Sequence, residues 1–113
     1  VHRVFFEVAL GPSLEMVPVG MVTIIARHRY TRCPMLIGPE YRGYGYGAAM
    51  AKEVYTAITG TIIGSTRAEN TRMRRIFEQN YFQANAYDLF REFTCTEPKK
   101  ELIPYVRLGV VKP

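Results

Sequence analysis

The sequence predicts a mixed α/β (α+β) fold in the order β-β-β-α-β-α-β-β. Short stretches rich in Val, Ile, Phe and Tyr, bounded by Gly and Pro, recur before Gly38 and after Gly60. Between them runs a small-residue segment with helical spacing, opened by alternating glycines and closed by Gly60. A second helical pattern, Met73, Ile76, Phe77 and Phe82, follows the next strand. Antiparallel strands that enter a β-α-β crossover make a mixed sheet.

The elements follow in order. Val4 to Leu10, VFFEVAL, reads as a strand, and GPSLEM as the turn after it. VPVGMVTIIARHRY, residues 17–30, reads as a second, largely buried strand with a charged end. TRCPMLIG is a third strand interrupted by Pro34, which suits an edge, a bulge or a strand start. YGAAMAKEVYTAITG reads as a helix and TIIGSTRAE as a strand. NTRMRRIFEQNYF reads as a second helix with Asn70 as its N-cap. AYDLFREFTC is expected to be extended, and IPYVRLGVV to form the last strand after the charged turn TEPKKE.

The chain has 113 residues, which suits a single domain over 1–113, and an apolar content of 48% supplies a packed core. No repeat, low-complexity segment or linker divides it. The apolar runs are too short to span a bilayer, so no membrane partner is expected. There is no charged start followed by an apolar signal core. The first residue is Val1, which suggests a processed or trimmed start. Cys33 and Cys95 have no metal-ligand spacing, so no metal site is expected, and two cysteines are too few for a disulfide framework. A reducing, cytoplasmic setting follows. A net charge of +5 and a pI of about 9.4 favour acidic partners such as phosphorylated cofactors, nucleic acid or an acidic protein face.

The segment PEYRGYGYGAAM, residues 39–50, carries the most chemistry. Glycines just before a helix let backbone N–H groups converge on an anion, and the helix N-terminus adds unpaired donors and a favourable dipole. Arg42 can add a charge-assisted contact. The alternative is a glycine-rich turn with a structural role alone. A Walker loop requires Gly-Lys-Ser/Thr, whereas Ala48 and Ala49 follow Gly47 here. The dinucleotide fingerprint matches Gly43, Gly45 and Ala48, but Pro39 to Arg42 separate it from the preceding strand and the chain is short for paired nucleotide-binding halves.

The same segment resembles the acetyl-coenzyme A pyrophosphate loop of the GNAT (N-acetyltransferase) superfamily, whose pattern Arg/Gln-x-x-Gly-x-Gly/Ala is met by Arg42, Gly45 and Gly47. The second helix adds to the resemblance. Asn70, Met73, Ile76, Phe77, Tyr81 and Phe82 fall where members carry Asn, a small residue, an aliphatic, Tyr, Gly and Phe. The resemblance covers residues 17–82 well and the flanks by topology.

It implies a GNAT-like mixed sheet that lacks the usual first strand and first helices, either because the N-terminus is trimmed or because a partner completes the acceptor side. A homo-oligomer or larger assembly would cover the apolar sheet surface so exposed. It implies acetyl-coenzyme A as cofactor, with the pantetheine arm in a cleft where the fourth and fifth strands splay. Leu36 and Ile37 would border that arm, and Arg42, Gly43, Tyr44, Gly45, Tyr46, Gly47 and Ala48 would hold the pyrophosphate. Asn70 would either touch the cofactor or serve as a helix cap.

Catalysis is less clearly assigned by the resemblance. Members often use a tyrosine as the acid at the position of Phe77, which has no hydroxyl to donate. Tyr81, four residues later, is a substitute candidate, against a plain aromatic role. Glu7 is a base candidate if strand alternation turns it toward the cleft, against a solvent-facing role. Glu40 and His28 are weaker candidates, and Cys33 reads as a buried apolar residue. The implied function is acetyl transfer to an amine of a small molecule or protein. The alternatives are an inactive GNAT-like structural or binding module, for example a virion component, and a nucleic-acid binder built on the clusters Arg27, Arg29, Arg32 and Arg72, Arg74, Arg75. These same clusters could instead line the cofactor's phosphates or face water.

Overall fold

The computed structural model describes residues 1–109. Its sheet is mixed, as the residue patterns predict. The strands are β1 (His2–Leu10), β2 (Glu15–Ala26), β3 (Thr31–Arg32), β4 (Met35–Ile37), β5 (Ile62–Arg67), β6 (Gln83–Ala84) and β7 (Leu102–Arg107). They lie in the order β1-β2-β3-β5-β7-β6, with β4 also on β2. The β3–β5 pair is parallel and the others are antiparallel. β1 and β2 form a hairpin whose turn is closed by the Leu14 N–H donating to the Gly11 carbonyl at 3.1 Å. A bulge between Phe6 and Glu7 breaks its register, and opposite it both Val19 and Gly20 are buried.

Helices α1 (Tyr46–Ala57) and α2 (Thr71–Gln79) share one core with Val22, Ile62 and Tyr105, to which they contribute Ala51, Tyr55, Ile76 and Phe77. Helix α3 (Tyr87–Thr94) packs Phe90 with Ile63, Ala86 and Val106. Ile62 and Ile63 are consecutive on one strand, as are Tyr105 and Val106, so these two clusters lie on opposite faces of the sheet. Along β1, β2 and β4, Met21 pairs with both Phe5 and Leu36, which remain 64% and 56% exposed. None of the helices among the described residues is long and apolar enough to cross a membrane.

Two expectations are corrected. The segment AYDLFREFTC is not extended but forms α3. Ala86, Leu89, Phe90 and Phe93 recur at helical spacing and pack as one stripe, so burial outweighs the strand preference of the aromatics. Cys95, at φ 60°, ends this helix by donating its N–H to the Arg91 carbonyl at 2.9 Å. The predicted third strand is two strands, split at Cys33-Pro34. The last strand ends at Arg107, and its predicted continuation through Val110 and Val111 lies outside the described residues.

Candidate functional site

The split at Pro34 opens the molecule. β3 pairs with β5 at Thr31–Ile62 and Arg32–Ile63 only. β4 then follows β2 alone, pairing Met35 to Ile37 with Val22 to Gly20. Proline has no N–H for a ladder, and its carbonyl here accepts from the Thr23 N–H at 2.9 Å, which holds the chain on β2 while β5 diverges. The gap is a cavity of about 380 Å³ bordered by Cys33, Met35, Ile62, Gly64 and Phe77. It adjoins a larger cleft of about 710 Å³ between β4, α1 and α2, and Met35, Asn70 and Met73 line both.

The larger cleft ends at the glycine loop. Gly43 and Gly45 have φ of +90° and +83°, a left-handed conformation that glycine adopts without strain. Gly45 is the N-cap of α1 and offers no side chain to the first helical N–H groups, which stay free for a ligand. Arg42 lines the cleft, its Nε donating to the Ile37 carbonyl at 3.1 Å, which ties it to the end of β4. From α2, Arg72 and Arg75 line the same cleft, and among the described residues no aspartate or glutamate does. Arg74 points elsewhere: its Nε donates to the Tyr105 hydroxyl at 3.2 Å and its Nη1 to the Ala68 carbonyl at 3.1 Å.

The structure brings Leu36, Ile37, Arg42, Gly43, Gly45, Tyr46, Gly47, Ala48 and Asn70 together around this cleft. Tyr44 is not among its walls; it is exposed and stacks on Tyr46 with centroids 5.9 Å apart. Asn70 is an N-cap, its Oδ1 accepting from the Met73 N–H at 3.1 Å, and it lines both cavities. Phe77 is 3% exposed and stacks on Tyr105 at 4.5 Å.

Glu7 and Tyr81 are not brought to the cavities. Glu7 is exposed on β1, which lies on the opposite edge of β2 from β4. Tyr81, at φ 68° in the turn after α2, is 88% exposed and turned to solvent. Glu40 and His28 are exposed and line neither cavity. Burial pushes the Cys33 thiol up to about 11 and the Tyr55 hydroxyl well above its ordinary value, so both stay protonated at neutral pH. Arg72 and Arg75 come from the cluster that the sequence offered to nucleic acid, to a cofactor's phosphates or to water, and they line this cleft. Their signal was the three-residue spacing that sets them on one side of a helix whose buried residues are Ile76 and Phe77.

Neither the scan of protein-family models nor the search of curated proteins returns a match. Solved structures do match. Spermidine N-acetyltransferase from Vibrio cholerae, in complex with CoA and spermine, superposes with a TM-score of 0.63 at 18% identity, covering 86% of this chain and 60% of that one. The fold is that of the GNAT superfamily. The Salmonella typhimurium protein yncA, with its cofactor acetyl-CoA, gives 0.61 at 12% identity over 86% of this chain and 61% of that one. A GNAT-family acetyltransferase from Bacillus anthracis gives 0.54 at 18% identity over 80% and 57%. The chain thus spans about three fifths of the length of the GNAT-fold structures it matches.

Proposed function

We propose that the chain binds acetyl-coenzyme A and transfers its acetyl group to an amine. The observation that carries this reading is the joining of an anion site to a gap in the sheet. Three arginines, Arg42, Arg72 and Arg75, and the open N-terminus of α1 meet in one cleft without a carboxylate, which suits a pyrophosphate and a further phosphate. Met35 to Ile37 border the same cleft, with their strand edge facing a diverged β5, which suits an extended amide-bearing arm. Two GNAT-fold structures that this chain resembles hold CoA and acetyl-CoA.

When bound, the cofactor supplies an acyl thioester, and transfer exchanges its C–S bond for a C–N bond, the proton lost by the amine ending on the thiol. The chain's own part is binding and orientation. Arg42, Arg72, Arg75 and the α1 amides hold the phosphates, and Asn70 stands where the two cavities join. Phe77 and Tyr55 form an apolar wall at the gap and exclude water there. Among the described residues no carboxylate lines either cavity, so the proton passes from the amine to the thiol by way of solvent.

Calorimetric titration with acetyl-coenzyme A tests the reading, with Gly45→Glu as control. Binding near the micromolar range that the variant loses supports it, and no binding at millimolar cofactor overturns it. Phe77, which has no proton to give, favours a second reading in which the domain binds the cofactor without transferring. Thiol release in the presence of amines separates the two.

A further inference from the structure

We infer that the acceptor is an amine bearing a carboxylate, such as a free amino acid, and that Arg32 selects it; this rests on the acetyltransferase reading above. Arg32 is the last residue of β3 to pair with β5, at the point where the sheet opens, and it borders the smaller cavity. Its guanidinium carbon stands 5.5 Å from the Phe90 ring centroid, so α3 holds the side chain in place. Its Nε is buried and has no hydrogen-bond partner. A buried N–H without an acceptor is costly, and the half-buried guanidinium that carries it is matched best by a planar carboxylate. The neighbouring Arg29 is different: it stacks on Phe93 and already donates to the Glu92 carbonyl at 3.3 Å.

The charge of the cleft points the same way. Arg32, Arg42, Arg72 and Arg75 line the two cavities, and among the described residues no aspartate or glutamate does. Once the cofactor's phosphates meet Arg42, Arg72 and Arg75, Arg32 is the cation left beside the gap, and a polyamine brings no anion for it. An amino acid brings one carboxylate for Arg32.

The test is a panel of primary amines with acetyl-coenzyme A: the common free amino acids, their amides, and spermidine. Thiol release gives kcat and KM, and calorimetry on the coenzyme A-loaded protein gives acceptor binding. At least one free amino acid is expected to have a KM lower than its amide by about tenfold or more. Arg32→Gln should raise that KM to the amide's value with kcat nearly unchanged, and Arg32→Lys should restore part of the difference. Preference for spermidine, an equal effect of Arg32→Gln on acid and amide, or no amino-acid binding to the cofactor-loaded protein would each overturn the inference while leaving the acetyltransferase reading standing. Failure to bind coenzyme A at all would remove both.

Discussion

The ring of Phe77 rests directly on the backbone of Gly64: a methyl group at Gly64 would stand 2.5 Å from the Phe77 Cζ. Helix α2 thus approaches β5 as closely as it does because that strand residue has no side chain. Gly64→Ala is expected to destabilise the fold by about 1–3 kcal/mol through overpacking. Urea denaturation checks this. Phe77→Leu combined with Gly64→Ala should cost less than the sum of the single changes, because the smaller side chain makes room.

Arg72 and Arg75 line the cleft while Arg74, between them in sequence, bonds to Tyr105 and Ala68. Arg72→Gln and Arg75→Gln are each expected to weaken coenzyme A binding by about tenfold, about 1.4 kcal/mol, at low salt, with little change in thermal stability. Arg74→Gln should do the reverse. Calorimetry at two ionic strengths, alongside thermal melts, distinguishes them, because added salt should shrink the effect at Arg72 and Arg75.

Cys33 predicts a loss of stability in alkali. Its thiol ionises near 9.0 in the unfolded chain and at about 11 when buried. The native state therefore binds more protons than the unfolded state between these values, and stability falls as pH rises through that window. Below pH 9 the contribution is complete. Tyr55, also raised by burial, extends the fall to still higher pH. Urea midpoints measured from neutral pH to 11 should decline, and less steeply in Cys33→Ala. At neutral pH a thiol reagent should label exposed Cys95 well before buried Cys33.

Arg107 closes the end of α1. Its Nη1 donates to the Tyr55 carbonyl at 2.8 Å and its Nη2 to the Ile58 carbonyl at 2.5 Å. These carbonyls stand at the negative end of the helix dipole. Arg107→Met keeps the aliphatic stem and removes both bonds, and should cost about 2 kcal/mol. Chemical denaturation checks the cost, and amide exchange in the last turn of α1 should quicken.

The glycine loop and the Asn70 cap were legible because their chemistry is local. Positive φ at Gly45 and an Asn at a helix start depend on a few adjacent residues. The sheet pattern was legible for the same reason wherever apolar residues recur at strand spacing. α3 was not, because Phe90 and Phe93 take a helix only when a second face of the sheet exists for them to cover. Glu7 and Tyr81 failed as cleft residues for a geometric reason. Alternation along β1 says nothing about which strands separate it from the gap, and a helical face counted from Phe77 does not extend past Gln79, where α2 ends. The partition of Arg72, Arg74 and Arg75 between cleft and fold required the position of Tyr105, which comes from a strand 31 residues away from Arg74.

The same two rungs that end at Arg32 are the only strand pairing, among the described residues, between β1, β2, β3 and β4 on one side and β5, β6 and β7 on the other. Mechanically the sheet is therefore two leaves on a short spine. Nine rungs hold the β1–β2 hairpin and six hold β5 to β7, against two along the spine. Where the ladder between the leaves stops, the shared core of Val22, Ile62, Phe77 and Tyr105 takes over, so the seam is held by side chains where it is not held by backbone.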